Sequence, residues 1–305
     1  MRRYCTALVA ALTSANASAI AALSITIALW MPCSAVAQDA DLRGHGALGA
    51  APARIVSLVP SATDLVVALG ERHRLVARTM YDRNPLLARL PSVGGTIDPN
   101  LEAILSVRPD LVLTWDDSTA PGLRQRLERA GLHTVVIRAT TLADVRGTIR
   151  QLGGVLKVSG KADSLMGRIQ SGLDSVKALS DGRAKVRVFY LVWARPLITT
   201  AGGTFIDSLI TIAGGENVFG DLSGPWPMVS IESVIARQPD VILWSRHRSG
   251  QQENLADDPR WRGVRAARLG RVLAVDGELM ARPGPRLVEA ARALERLIHH
   301  GERSP

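Results

Sequence analysis

One stretch of this chain is written twice. N-L-E-A-I-L-S-V-R-P-D-L-V-L, from Asn100 to Leu113, returns as S-I-E-S-V-I-A-R-Q-P-D-V-I-L from Ser230 to Leu243. Each copy opens with a helix-capping residue, carries an acid in the first helical turn, passes through x-Pro-Asp and ends in an apolar run suited to a buried strand. A fainter echo joins Ser61-x-x-Asp64 through Gly70 to Thr204-x-x-Asp207 through Gly214. A chain that repeats a helix-strand unit at this separation builds two similar bodies, not one long sheet.

The rest of the pattern says what those bodies are. Arg54 to Val59 reads as a β-branched strand that Pro60 ends. Ser61 is then placed to cap a helix, with Asp64 in the acid position of a capping box and Gly70 closing the helix. Strands and helices alternate from there, which predicts an α/β fold: two similar Rossmann-like lobes with mostly parallel sheets. Between them, Leu142, Val145, Ile149 and Leu152, then Ala162, Leu165, Ile169, Leu173 and Val176, keep helical spacing. Gly153-Gly154 and Ser159-Gly160 divide this segment into two helices, the second a long rigid connector. The expected division is residues 54–140 for the N-terminal lobe, 141–184 for the connector helices and 185–300 for the C-terminal lobe, with a ligand cleft between the lobes.

Ahead of the lobes the sequence changes character. Arg2 and Arg3, an uncharged stretch from Tyr4 to Gln38 and the small-x-small triplet Ala35-Val36-Ala37 predict a secretory signal over residues 1–37 and a periplasmic location. Residues 38–53 read as a flexible lead-in; the literal G-x-G-x-x-G at Gly44–Gly49 there has no strand before it and is a chance match. Both cysteines, Cys5 and Cys33, fall in the signal, so neither a disulfide framework nor a thiolate metal site is expected beyond it. The formal charge is +9, but Lys and Arg are scattered without a basic run, which argues against nucleic acid as a partner. No H-E-x-x-H, G-x-S-x-G, C-x-x-C or Walker pattern occurs, and the six His are dispersed, with His299-His300 a terminal pair. These absences predict a binding protein with no catalytic residues, no resident cofactor and no metal site of its own.

From Ala53 to His300 the chain resembles the helical-backbone metal-receptor group of periplasmic substrate-binding proteins that serve ABC importers, and within it the cobalamin binders. The resemblance is carried by R-I-V-S-L-V-P-S-A-T-D at Arg54–Asp64, N-L-E-A-I-L-S-V-R-P-D at Asn100–Asp110, A-G-G-E-N-V-F at Ala213–Phe219, G-P-W-P-M-V-S-I-E at Gly224–Glu232 and R-P-G-P-R-L at Arg282–Leu287. It implies a cleft that captures cobalamin or a related corrinoid; haem or a ferric siderophore is the alternative within the same fold. A corrin needs aromatic surface for its disc and polar groups for its amide rim. Trp226, stiffened by Pro225 and Pro227, matches a ligand-contacting tryptophan; packing beneath its loop is the other use of such a residue. Glu278 and Arg282 match an acid and an arginine near the ligand, the arginine offering its fork of donors to amide or phosphate oxygens. Met80, Tyr81 and Asp82 fall in the matching first-lobe loop, and Trp193 ends a second-lobe strand that lines the cleft in relatives. The well-known cobalamin binder has one more tryptophan just before N-L-E, where this chain has Thr96. Met80 and Tyr81 are also the side chains that would serve haem as axial ligands, and Arg78, Arg83, Arg195 and Arg282 are those that would serve a siderophore.

Glu102 and Glu232 occupy the same place in the two repeats. The resemblance makes them docking points for a permease dimer with its ATPase subunits; stabilisation of a helix N-terminus by an acid is the simpler use.

Overall fold

The computed structural model describes residues 50–246 and 258–299. The expected secretory signal, most of the expected lead-in with its G-x-G-x-x-G, and His300 lie outside the described residues.

The first lobe is a four-stranded parallel sheet, β2-β1-β3-β4, built from β1 (Ile55–Ser57), β2 (Leu75–Ala77), β3 (Leu111–Trp115) and β4 (Thr134–Ile137). Its helices are α1 (Pro60–Ala68), α2 (Leu101–Ser106) and α3 (Leu123–Arg129). Two connector helices follow, α4 (Leu142–Val155) and α5 (Ser159–Ser180). The second sheet runs β6-β5-β8-β9, with β7 also on β5: β5 (Val186–Ala194), β6 (Leu197–Thr199), β7 (Gly215–Asn217), β8 (Val241–Arg246) and β9 (Val272–Asp276). All its pairings are parallel except the β5–β6 hairpin. The helices of this half are α6 (Phe205–Ile212), α7 (Ile231–Arg237), α8 (Arg265–Arg268), α9 (Gly277–Met280) and α10 (Leu287–His299). With β6 set aside, the order β7-β5-β8-β9 reproduces β2-β1-β3-β4. The repeat read in the sequence is thus a repeat of topology, with one hairpin added to the second copy.

Packing explains the apolar runs. Parallel strands are covered on both faces, so alternate residues serve different cores. Ile55, Leu111, Leu113, Val188, Tyr190, Val241 and Leu243 enter one core that runs through the first lobe, the connector helices and the second lobe without interruption. Val56, Leu58 and Val112 enter a second core confined to the first lobe, and Phe189, Leu191 and Ile242 a third confined to the second. Helix α5, 22 residues or about 33 Å long, contributes Leu165, Ile169, Leu173 and Val176 to the shared core.

Two local expectations need correction. Helix α1 is capped by Val59, whose side chain makes no capping bond, because Pro60 takes the first helical position and starts the turn earlier; Ser61 is buried inside the helix. The capping arrangement expected there appears in the second lobe, where Thr204 Oγ1 accepts from Asp207 N (3.1 Å) and Asp207 accepts from Gly203 N (3.0 Å). Gly153-Gly154 does not break the connector: α4 runs through both, and the chain turns at Lys157 (φ 60°). Gly153 serves packing, since a Cβ there would lie 2.5 Å from the Ala162 side chain on α5.

The repeat reaches the hydrogen-bond level. Arg108 and Gln238, each before the proline, share φ of 42° and end α2 and α7. Asp110 then accepts from Arg54 N (3.0 Å) and Asp240 from Arg187 N (3.1 Å). The Nη2 groups of Arg54 and Arg187 donate to the carbonyls of Val107 and Arg237, both at 2.7 Å. The x-Pro-Asp signature is therefore a clamp between helix end and first strand, repeated in each lobe.

Candidate functional site

Open parallel sheets bind ligands beyond the carboxyl ends of their strands, where the strand order reverses. In both lobes that point lies between the first strand and the one that follows α2 or α7: β1/β3 and β5/β8. Most of the candidate residues follow strand carboxyl ends. Met80, Tyr81 and Asp82 follow β2, Trp193 is near the end of β5, and Glu278 and Arg282 follow β9.

The second lobe supplies an apolar wall. Trp193 on β5 pairs with Ile198 on β6, and Ile198 bridges Met228. Cross-strand neighbours share a sheet face, so the three form one row. Trp193 is 55% exposed and Met228 72%. Trp226 lies two residues along the same paired segment and is 41% exposed. The G-P-W-P loop is held by backbone bonds from Thr199 N to Pro227 O (3.1 Å) and Ala201 N to Pro225 O (3.2 Å), so β6 is the shelf on which Trp226 sits. Trp193 is fixed in turn by its indole N–H on the carbonyl of Arg195 (2.9 Å). Exposed aromatics on stiff backbone are what a flat ligand stacks on.

The first lobe contributes Met80 and Tyr81, both exposed, on a turn tied to Gly94 through Met80 N (2.8 Å). Asp82 is not presented to the cleft. It is buried, and one carboxylate oxygen accepts from both Thr79 N (2.7 Å) and Thr79 Oγ1 (2.8 Å), closing its own turn.

Arg282 is likewise engaged rather than held out. Its side chain is 11% exposed. Nη2 donates to Glu278 (3.0 Å) and to the carbonyl of Tyr81, and Nη1 faces Asp64 at 3.5 Å. Glu278 belongs to α9, whose first turn is capped by Asp276 through Glu278 N (2.9 Å). Arg282 and Glu278 thus come together with Tyr81 as expected of neighbours, but through the tyrosine's backbone. Asp64 was missed in the sequence, where it was assigned to a helix cap. Burial pushes its carboxyl above the usual range; Arg282 pulls it down and Asp82 pushes it further up. Trp115, half-buried at the carboxyl end of β3, packs against the shared core and the first-lobe core.

The tips of the lobes carry the paired glutamates. Asn100 caps α2 through Ala103 N (2.9 Å) and Ser230 caps α7 through Ser233 N (3.2 Å), leaving Glu102 and Glu232 exposed at the second helical position of each. The backbone N–H of Glu232 and the Ser230 hydroxyl hold that carboxyl below its ordinary range. A separate cavity of about 390 Å³ between β9 and α10, lined by Arg183, Ala274, Asp276, Ala293 and Arg296 among others, contains none of the candidate residues.

Residues 55–279 match the periplasmic binding protein family. The chain is 31% identical over 242 residues to the vitamin B12-binding protein of Vibrio parahaemolyticus, covering 78% of this chain and 86% of that one. It is 30% identical over 249 residues to the vitamin B12-binding protein of Pectobacterium carotovorum, covering 80% and 88%. Among solved structures it superposes on the periplasmic vitamin B12-binding protein of Vibrio cholerae with a TM-score of 0.69 at 27% identity, covering 83% of this chain and 99% of that one. A periplasmic haem-binding protein from Pseudomonas aeruginosa superposes with a TM-score of 0.71 at 26% identity, covering 82% and 93%. With the match spanning both lobes and the connector, the chain belongs to the periplasmic binding protein family.

Proposed function

We propose that this protein captures cobalamin, or a closely related corrinoid, between its lobes and delivers it to the permease of an ABC importer in the periplasm. The observation that carries the reading is the exposed row Trp193–Ile198–Met228 with Trp226 beside it on a proline-stiffened loop, in a chain whose relatives are named for vitamin B12. A disc laid on this wall buries one broad face against apolar surface. The corrin's amide rim then meets the polar seam around Glu278 and Arg282. Capture needs no bond to be made or broken, so the protein works without catalytic residues and without a resident cofactor. Glu102 and Glu232, one on each tip, present two like charges to a two-fold permease partner with its ATPase subunits.

One observation favours haem instead: Met80 and Tyr81 are exposed beside each other on the first-lobe turn, and a thioether or a phenolate is a haem-iron ligand. Mixing the purified protein with cyanocobalamin or with haemin, then separating by gel filtration, decides between them. Co-elution of the corrin's visible band with the protein is the expected result. Co-elution of a Soret band alone would replace cobalamin with haem.

A further inference from the structure

The two lobes meet along a seam whose parts are far apart in sequence. Pro283 and Gly284 are buried, and a Cβ on Gly284 would stand 3.4 Å from the carbonyl oxygen of Ser61. The R-P-G-P-R turn thus lies flat on the first turn of α1. At the edge of this contact Arg282, from the second lobe, meets two groups of the first: the Asp64 carboxylate and the Tyr81 carbonyl. Its other partner, Glu278, is on its own side.

We propose that Asp64 is a positioning residue of the cleft: with the Tyr81 carbonyl it draws the Arg282 guanidinium across the seam, fixing both the direction of that guanidinium and the separation of the lobes. Its bearing on affinity rests on the corrinoid reading above; its bearing on lobe separation does not. The charged groups facing Asp64 are Arg282 with Glu278 from the α9 side, Arg286 with its partner Glu289 from the start of α10, and Asp82 from the β2 turn. Two carboxylates and one shared guanidinium make the clasp proton-sensitive. Protonation of Asp64 removes the attraction across the seam, and because burial and Asp82 raise its pKa it protonates before ordinary carboxylates as the pH falls.

The same balance separates a positioning role from a merely structural one. A carboxyl whose folded pKa lies above its unfolded value lends the fold nothing below the unfolded value, and opposes folding as pH rises through the folded one. Removing the charge from Asp64 therefore costs the fold little at neutral pH, because Glu278 still pairs with Arg282, while the clasp is lost.

Residues 38–305 contain no cysteine, so spin labels on Ser106→Cys and Ala236→Cys report the lobe separation; both positions are exposed and equivalent on α2 and α7. In the parental background the distance distribution is narrow at pH 7 and broadens as the pH falls through the Asp64 titration. With Asp64→Asn it is broad at both pH values, cyanocobalamin binds about tenfold more weakly at pH 7, and the thermal midpoint moves little. Asp64→Glu restores the narrow distribution. Superimposable distributions for the parental protein and Asp64→Asn would overturn the clasp, as would a lowered thermal midpoint with an unaltered distance. A parental protein that ignores cyanocobalamin would sink the corrinoid reading and leave the label distances to decide the clasp.

Discussion

The two lobe tips are the same backbone put to different uses. Residues 94–102 and 224–232 both begin at a glycine with positive φ, 91° at Gly94 and 79° at Gly224, and both end on a capped helix with an exposed glutamate in its first turn. Behind each, an x-Pro-Asp clamp fixes the helix to the first strand of its sheet. Between glycine and cap the copies part. The second has Pro225-Trp226-Pro227 leaning on β6; the first has Gly95-Thr96-Ile97 and closes on itself through the Gly94–Pro99 bridge. What the lobes share is what a two-fold partner would read, and what they do not share is what an asymmetric ligand would read. Position 96 is the counterpart of 226 by this repeat, so the exposed tryptophan of the second tip is matched by a threonine in the first.

The comparison is broken most severely at the shared feature. Glu102→Ala with Glu232→Ala should abolish uptake in reconstituted vesicles while calorimetric titration with cobalamin stays parental; truncating one member of a desolvated charge pair costs about 2–5 kcal/mol. Uptake at the parental rate would reduce both glutamates to helix stabilisers. Next comes the unshared feature. Trp226→Ala should weaken cobalamin binding by about 1–3 kcal/mol, with a smaller effect on thermal stability, whereas Thr96→Ala should leave affinity unchanged. Normal binding by a Trp226→Ala protein that melts much earlier would make Trp226 a packing residue.

A third test asks whether the clamps are equal. Asp110→Ala and Asp240→Ala should each cost about 0.5–1.5 kcal/mol in urea denaturation, the net worth of hydrogen bonds whose donors water can reach. Asp110 should be the larger, since it accepts from both Ala53 N (2.7 Å) and Arg54 N (3.0 Å). The smallest effect concerns the positive-φ residues. Arg108→Gly relieves a left-handed backbone and should be neutral or stabilising by up to about 1 kcal/mol. Gln238→Gly should not gain, because the Gln238 side chain donates to Gly263 O (3.1 Å) and accepts from Arg265 N (3.0 Å). Equal responses at the two sites would mean those bonds contribute nothing.

The duplication was legible in sequence because its carriers are local: a capping residue, an acid two residues on, a proline that forbids helix and a β-branched run all act within one turn or one strand. The misreadings also have local causes. Pro60 pre-empted the cap expected of Ser61, and Gly153 looked like a breaker because a glycine chosen for a close helix contact is indistinguishable in a single sequence from one chosen for a turn. The site was only half legible. Trp226 and Trp193 announce themselves through flanking prolines and a strand end. The Arg282–Tyr81 contact joins residues 201 apart, and nothing in either neighbourhood points to the other. Asp64 and Asp82 each had a plausible local reading that the structure replaces: Asp64 was assigned to a helix cap and instead faces Arg282, and Asp82 was assigned to the cleft and is spent on its own turn.

The uninterrupted core through α5 has a consequence for how such a duplication can be taken apart. Each sheet keeps one face for a private core and gives the other to the common one, so neither copy owns enough interior to stand alone. Cutting the chain in the connector would leave each half with a naked apolar face, and the halves would be expected to aggregate or to recombine rather than to behave as miniature receptors. Heating the intact protein should give one melting transition, with calorimetric and van't Hoff enthalpies equal, despite two sheets that look like two domains. The architecture repeats, but its interior is held in common.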